Sequence, residues 1–194
     1  MCTPKTIQTR RRVSRRGFNL IEAAIVLGVV GLVIGGIWVA AAAVQSNLRE
    51  ADASKGLLQI VQNVRNLYYG QTPTATTDTD ITTSLISANA IPGDFIAGTT
   101  SAKNPFNGAV TVSLTGNPND TIAVVYAAVP KDSCIELTSK NTSLSAGIGL
   151  SSIVIDATTG GSDATISTFP YLPTAAATNC GSTNSITWSF GLRG

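Results

Sequence analysis

No histidine occurs anywhere in this 194-residue chain. That removes the histidine-centred triads and most of the usual metal-ligand sets. Charge is scarce too, at 12% Asp, Glu, Lys and Arg together. Lys103, Lys131 and Lys140 stand too far apart to make the basic patch that nucleic acid needs. Asp78 and Asp80 lie in a Thr-rich stretch and read as solvated groups rather than paired acids. Gly147-x-Gly149 and Gly160-Gly161 read as turn glycines, since no phosphate-loop lysine follows either. No proline stands between Pro4 and Pro73, so nothing of that kind interrupts a helix there. These absences point away from an enzyme and call for no cofactor and no metal.

What the chain has in excess is one apolar run. From Ala23 to Val44, 22 consecutive residues are Ala, Val, Ile, Leu, Gly or Trp. At about 1.5 Å per helical residue, such a run reaches across a hydrocarbon core of about 30 Å. Six basic residues and no acid precede it: Lys5, Arg10, Arg11, Arg12, Arg15 and Arg16. A signal anchor would need no more than this, with the positive segment held in the cytoplasm. A cleaved secretory peptide fits less well, because the run exceeds an ordinary h-region and no small-x-small site ends it cleanly. Neither reading accounts for Glu22, an acid beside the hydrocarbon, where an ionisable group costs up to about 2.5–3.5 kcal/mol. A cut between Gly17 and Phe18 supplies a reason. Glu22 then becomes the fifth residue of the product, and its carboxylate can pair with the new ammonium of Phe18 on a neighbouring copy.

A basic leader, Gly17, Phe18, Asn19-Leu20-Ile21, Glu22 and an unbroken apolar helix together resemble the prepilin signature of the type IV pilin family. The wording FNLIEAAIVLGVVGLVIGGIW is most similar to type IVb pilins of the thin-pilus kind. The resemblance implies cleavage after Gly17 by a membrane-embedded prepilin peptidase, which also N-methylates Phe18. It implies residence in membrane lipid at the inner membrane, with the N-terminus cytoplasmic and the head periplasmic. It then implies delivery through an inner-membrane assembly platform into an extracellular helical homopolymer with Glu22 as the assembly residue. Without the leader the overall charge of +2 becomes a deficit, seven basic residues against eleven acidic. The Thr-, Ser-, Ala- and Gly-rich remainder suits an extracellular subunit packed against copies of itself.

Three cysteines divide in the same way. Cys2 falls in the leader, with no apolar lipobox before it. Cys134 and Cys180 remain, on the side that the positive-inside rule places outside the cytoplasm. A disulfide between them is expected, because that compartment is oxidising. A zinc site would have two thiols and no nearby third ligand.

Four segments are expected: a leader over residues 1–17, a transmembrane or filament-core helix over 18–44, an amphipathic half over 45–70, and a globular head over 71–194. The helix should continue past Val44, through the polar section Gln45 to Lys55, because apolar residues resume at Leu57, Leu58, Ile60, Val61, Val64, Leu67 and Tyr68. That spacing puts one face on a core. Tyr69-Gly70 and then Pro73 stop it, for a helix of about 75 Å. Gly31 and Gly35 are spaced for close helix approach, and Gly35-Gly36 marks the weakest point, where unwinding inside a filament is expected. Trp38 is placed as an interfacial anchor and Trp188 as core.

In the head, Gln71–Asp80 reads as a loop and Ile81–Ala90 as a short helix with Ile81, Leu85 and Ile86 inward. Asn104–Gly108 and Gly116–Asp120 are turns. Strands are expected at Ala109–Leu114, Thr121–Val129, Ile153–Ile155 and Ser185–Phe190, with a helix at Lys131–Lys140 opened by Asp132. The fold class is α+β: a long N-terminal helix on an antiparallel sheet with a disulfide-tied C-terminal region. The Thr/Ser-rich span Ala157–Ser185 is the place for partner-specific surface. The function so implied is the major structural subunit of a type IVb pilus, for adhesion, cell aggregation or conjugative mating contact. A pseudopilin or minor pilin of a type II secretion or DNA-uptake system is the alternative, and a monomeric membrane-anchored periplasmic domain a third reading.

Overall fold

A computed structural model describes residues 19–71, 74, 76–140 and 145–193. One helix, α1 (Leu20–Leu67, 48 residues), opens it. Asn19 starts the helix, its side-chain Oδ1 accepting from the Ile21 N–H at 3.3 Å and its carbonyl from the Ala23 N–H at 3.2 Å. Gly70 stops it, in the left-handed region at φ 78°, so the helix closes two residues earlier than the sequence suggests. By internal contacts the chain divides into a unit up to Ala43 and a second unit from Val44 to Gly194.

The second unit has its own core. Strands β1 (Thr79–Asp80), β2 (Ala102–Lys103), β3 (Ala109–Thr115), β4 (Thr121–Pro130), β5 (Leu150–Thr159), β6 (Ala164–Ile166) and β7 (Thr183–Gly191) form one antiparallel sheet. Its order is β1-β3-β4-β7-β5-β6, with β2 also on β3. The last strand therefore enters between β4 and β5. The short helices are α2 (Thr82–Ser87), α3 (Lys131–Lys140), α4 (Ser145–Ile148) and α5 (Pro173–Asn179).

Register carries the alternating apolar residues into rows across the sheet. Val112, Val124, Trp188 and Ile153 are successive partners, as are Leu114, Ile122, Phe190 and Leu150, and Val110, Tyr126, Ile186 and Ile155. All twelve are buried. Because the side-chain period is two, this face is entirely committed, and a one-residue slip would expose it. Against it lies the α1 stripe of Ala53, Leu57, Ile60, Val61 and Val64, buried in the same cluster. Leu57, Ile60, Val61 and Val64 were expected there. Leu58 and Tyr68 are only half-buried, and Leu67 is 44% exposed, since it falls at the fraying end of the helix. The inward face also extends further towards the N-terminus than apolar periodicity indicates, through Gly56, Ala53 and the buried Glu50.

Polar contacts help fix α1 in this unit, Asn63 Nδ2 donating to the Ala90 carbonyl at 2.8 Å among them. Glu50 Oε1 accepts from Ser133 Oγ on α3 at 3.0 Å. The Tyr126 hydroxyl, whose pKa burial pushes up, donates to the Ala53 carbonyl at 3.2 Å. Arg65 donates to the Gly191 carbonyl at 2.6 and 3.1 Å and to the Ile148 carbonyl at 2.8 Å, and partial burial lowers its pKa. Trp188 is fully buried edge-on to Tyr126, ring centroids 5.1 Å apart, in the core position expected of it.

The expected strand Ile153–Ile155 is the middle of a ten-residue strand, β5. Ser, Thr and Asp at its exposed positions hide the alternation. The span Ala157–Ser185 contains β6 and α5 as well as loop. Helix α3 begins at Lys131, with Asp132 in its first turn.

Cys134 on α3 and Cys180 at the end of α5 are joined by a disulfide, S–S 2.01 Å, and both are fully buried. It closes a loop across a sequence separation of 46. Replacing both cysteines with alanine should lower head stability by about 4 kcal/mol on the chain-entropy model, read as a shift in the urea midpoint. Gly56 yields a second expectation. A Cβ there would lie 2.3 Å from the Phe95 ring, and that ring is itself only 4% exposed. Helix propensity alone would make Gly56→Ala stabilising by about 1 kcal/mol. Overpacking should reverse the sign, for a net loss of about 1–2 kcal/mol; a raised melting temperature would refute this.

Candidate assembly surface

Residues Leu20 to Ala43 form a helix that buries nothing within its own unit. Leu27 is 72% exposed, Leu32 79%, Trp38 74% and Val39 76%. The helix is long and apolar enough to cross a membrane, and none of its most apolar window is buried. Exposure of this extent is untenable in water, so lipid or other protein must cover it.

Glycine makes the same point by geometry. A Cβ added at Gly28, Gly31, Gly35 or Gly36 would meet no other atom within 4 Å. Inside the chain, then, no packing requires these glycines, and each costs about 1 kcal/mol of helix propensity relative to alanine. Small residues at this spacing allow the close approach of a second helix. The helix is continuous through Gly35-Gly36 in the single chain.

Glu22 lies exposed in the first turn of α1. With Asn19 as the cap it takes the third helical position, where an acid complements the exposed N–H groups and the helix dipole. A local role for the carboxylate therefore exists beside the intermolecular one expected from the sequence. Gly17, Phe18 and Cys2 lie outside the described residues, as does Pro73.

Among the described residues no group of three or more His, Cys, Asp or Glu is placed to hold a metal. A groove of about 490 Å³ runs between α1 and α3, lined by Glu50, Leu58, Leu137 and the Glu136–Lys140 ion pair. The Glu136 carboxylate raises the Lys140 pKa. Sequence reasoning missed Glu50 and Arg65, since neither breaks the polar appearance of its helix face; only the partners Ser133, Gly191 and Ile148 reveal them. It also missed Asn184, fully buried, whose side chain bridges Gly181 and Val129 beside Cys180.

Known proteins resemble both the sequence and the architecture. A family model described as PilS N terminal matches residues 46–190. Two relatives are each named major structural subunit of bundle-forming pilus. The one from Escherichia coli O111:H- is 29% identical over 180 residues, 88% of this chain and 90% of the relative. The one from E. coli O127:H6 (strain E2348/69 / EPEC) is 28% identical over the same shares. The crystal structure of a type IV b pilin from Salmonella typhi superposes with a TM-score of 0.55 at 16% identity, covering 72% of this chain and 97% of that one. At that identity it bears on fold alone. The family match begins at residue 46, so it is independent of the apolar run and of the Gly17–Glu22 wording.

If residues 20–43 carry the lipid-facing surface and the second unit is self-sufficient, a chain beginning at Val44 should unfold cooperatively and stay monomeric without detergent. The full chain should float with phosphatidylcholine vesicles in a density gradient. A truncated form that floats equally well would place the apolar contact in the head instead.

Proposed function

Because the chain belongs to the PilS N-terminal family of type IVb pilins, we propose that it is the major structural subunit of a type IV pilus, as the two E. coli relatives are named for theirs. The observation that supports this most is a head with a closed core carried on a helix whose apolar surface no part of its own unit covers. The subunit waits in the inner membrane with residues 20–43 in lipid, its N-terminus cytoplasmic and its head periplasmic. A prepilin peptidase cuts after Gly17 and N-methylates Phe18. An assembly platform then moves the subunit into a filament that ends outside the cell.

Transfer from lipid to filament exchanges one apolar surrounding for another, so hydrophobic burial alone gives little direction. Helix packing over Gly28, Gly31, Gly35 and Gly36 supplies van der Waals contact that lipid tails do not. Glu22 supplies register. Its carboxylate meets the Phe18 ammonium of a neighbouring copy in a poorly solvated bundle, where an unmatched charge would be strongly disfavoured.

Variants at Glu22 separate this pairing from helix capping. Glu22→Gln keeps a side chain able to close the cap but has no charge. Under the pairing account Glu22→Gln and Glu22→Ala both insert, are processed and fail to assemble. Under a capping account the glutamine form makes normal filaments. Gly17→Ala should leave full-length precursor in the membrane. Mass spectrometry of sheared filaments should find a mature chain beginning at methylated Phe18. Recovery in bulk also separates a major pilin from the pseudopilin or minor pilin of a secretion or DNA-uptake system.

A further inference from the structure

We propose that Asn107–Gly108 is a latent deamidation site held closed by the side chain of Asn104. The turn that joins β2 to β3 carries this dipeptide, and the fold demands both of its residues. Asn107 sits at φ 67°, a left-handed conformation that asparagine tolerates better than most side chains. Gly108 packs so closely on β4 that a Cβ would lie 1.8 Å from the Ala127 carbonyl oxygen. No other residue fits at 108, and few fit at 107.

That pair is chemically hazardous. With no side chain to hinder it, the Gly108 nitrogen can attack Asn107 Cγ, losing its proton to a base while the side-chain amine leaves as ammonia. The cyclic imide then takes up water, which breaks one of its two C–N bonds and leaves aspartate or isoaspartate. The net change is amide plus water to acid plus ammonia, with no oxidant or reductant. The Lys103 ammonium donates to Asn107 Oδ1 at 3.1 Å and draws electrons from the carbon under attack, so the local electronics favour the reaction.

Geometry opposes it. The Gly108 N–H, which must lose its proton and turn towards Asn107, donates to Asn104 Oδ1 at 2.9 Å in a buried bond. The Gly108 carbonyl accepts from the Asn104 N–H, and the Asn107 N–H donates to the Asn104 carbonyl, both at 2.9 Å. Asn104 is itself 4% exposed and anchored, with Nδ2 donating to the Ala127 carbonyl at 2.7 Å and Oδ1 accepting also from the Phe106 N–H. One buried amide thus immobilises the nucleophile. On a filament outside the cell, the reading proposed above, that would keep an exposed turn intact over the life of the fibre.

Incubating the purified full chain in detergent at mildly alkaline pH, with mass spectrometry of the tryptic peptide from Asn104 to Lys131, tests this. Native chain should deamidate at Asn107 roughly tenfold or more slowly than the same chain in guanidinium, a barrier difference of about 1.4 kcal/mol or more. Asn104→Ala, if its thermal unfolding remains cooperative, should approach the unfolded rate. Equal rates in native and unfolded wild type would overturn the proposal, as would a folded Asn104→Ala that deamidates no faster. Should Asn104→Ala not fold, the comparison of native with unfolded wild type decides.

Discussion

One helix has to satisfy two surroundings, and the rest of the chain follows from that. Between Leu20 and Ala43 its side chains find no cover within their own unit, whereas from Glu50 to Val64 a stripe of it is sealed on a sheet. A soluble domain has no use for the first half, and a plain membrane anchor has no use for the register of the second. Continuity through Val44 to Lys55 is possible because that polar section contains neither proline nor glycine.

Within the head the tie between helix and sheet is narrow in sequence but broad in energy. Each fully buried Leu, Ile or Val of the stripe contributes about 1.5–3 kcal/mol, and the aromatic sequence Phe95, Tyr126, Trp188 determines where the helix rests. Phe95 and Tyr126 meet edge-on with centroids 6.0 Å apart, as Tyr126 and Trp188 do at 5.1 Å. Gly56 lets the helix approach the outer ring of this series. Near the other end Arg65 replaces water on the carbonyls of Gly191 and Ile148, where β7 ends and just before β5 begins. The central strand of the sheet is thereby held to the helix by an uncharged partner set. That is why the guanidinium is affected by desolvation with no opposing carboxylate.

Much of this was legible in the residues. Periodicity of 3.6 marked Leu57 to Val64, alternation marked β3, β4 and β7, and two cysteines beyond the membrane run marked the bridge between α3 and α5. What stayed hidden has physical reasons. Strand order is a long-range property: nothing local in Thr183–Gly191 says that it will insert between β4 and β5. Strands β1 and β2 are two residues long and carry no pattern. The inward placement of Glu50 and Gly56 depends on Ser133 and Phe95, both far away in sequence, and the outward drift of Leu67 depends on where the head stops covering the helix. For the assembly surface the position was different. Apolar length and the glycines were visible at once, while the chemistry at Gly17 and Phe18 rests on wording and on no described geometry.

Glu22 is where two explanations meet, and they differ in what they ask of the side chain. Capping asks for an acceptor at the third helical position, and a charged one gains about 0.3–1 kcal/mol from the helix dipole. A carboxylate next to hydrocarbon costs up to about 2.5–3.5 kcal/mol, more than that gain, and a neutral acceptor would close the cap at lower cost. Pairing asks for the charge itself and for a positive group, and on the C-terminal side Arg49 is the first basic residue beyond Glu22. The nearest cations on the N-terminal side, Arg15 and Arg16, are lost if the chain is cut after Gly17. Under the proposed pairing the cost of the carboxylate is met by the Phe18 terminus of another copy, although the same cut also places a positive terminus four residues before Glu22 in its own chain. The glycines and the acid form one device under the proposed pairing, the former allowing helices to close and the latter stating how far along they should slide before they do.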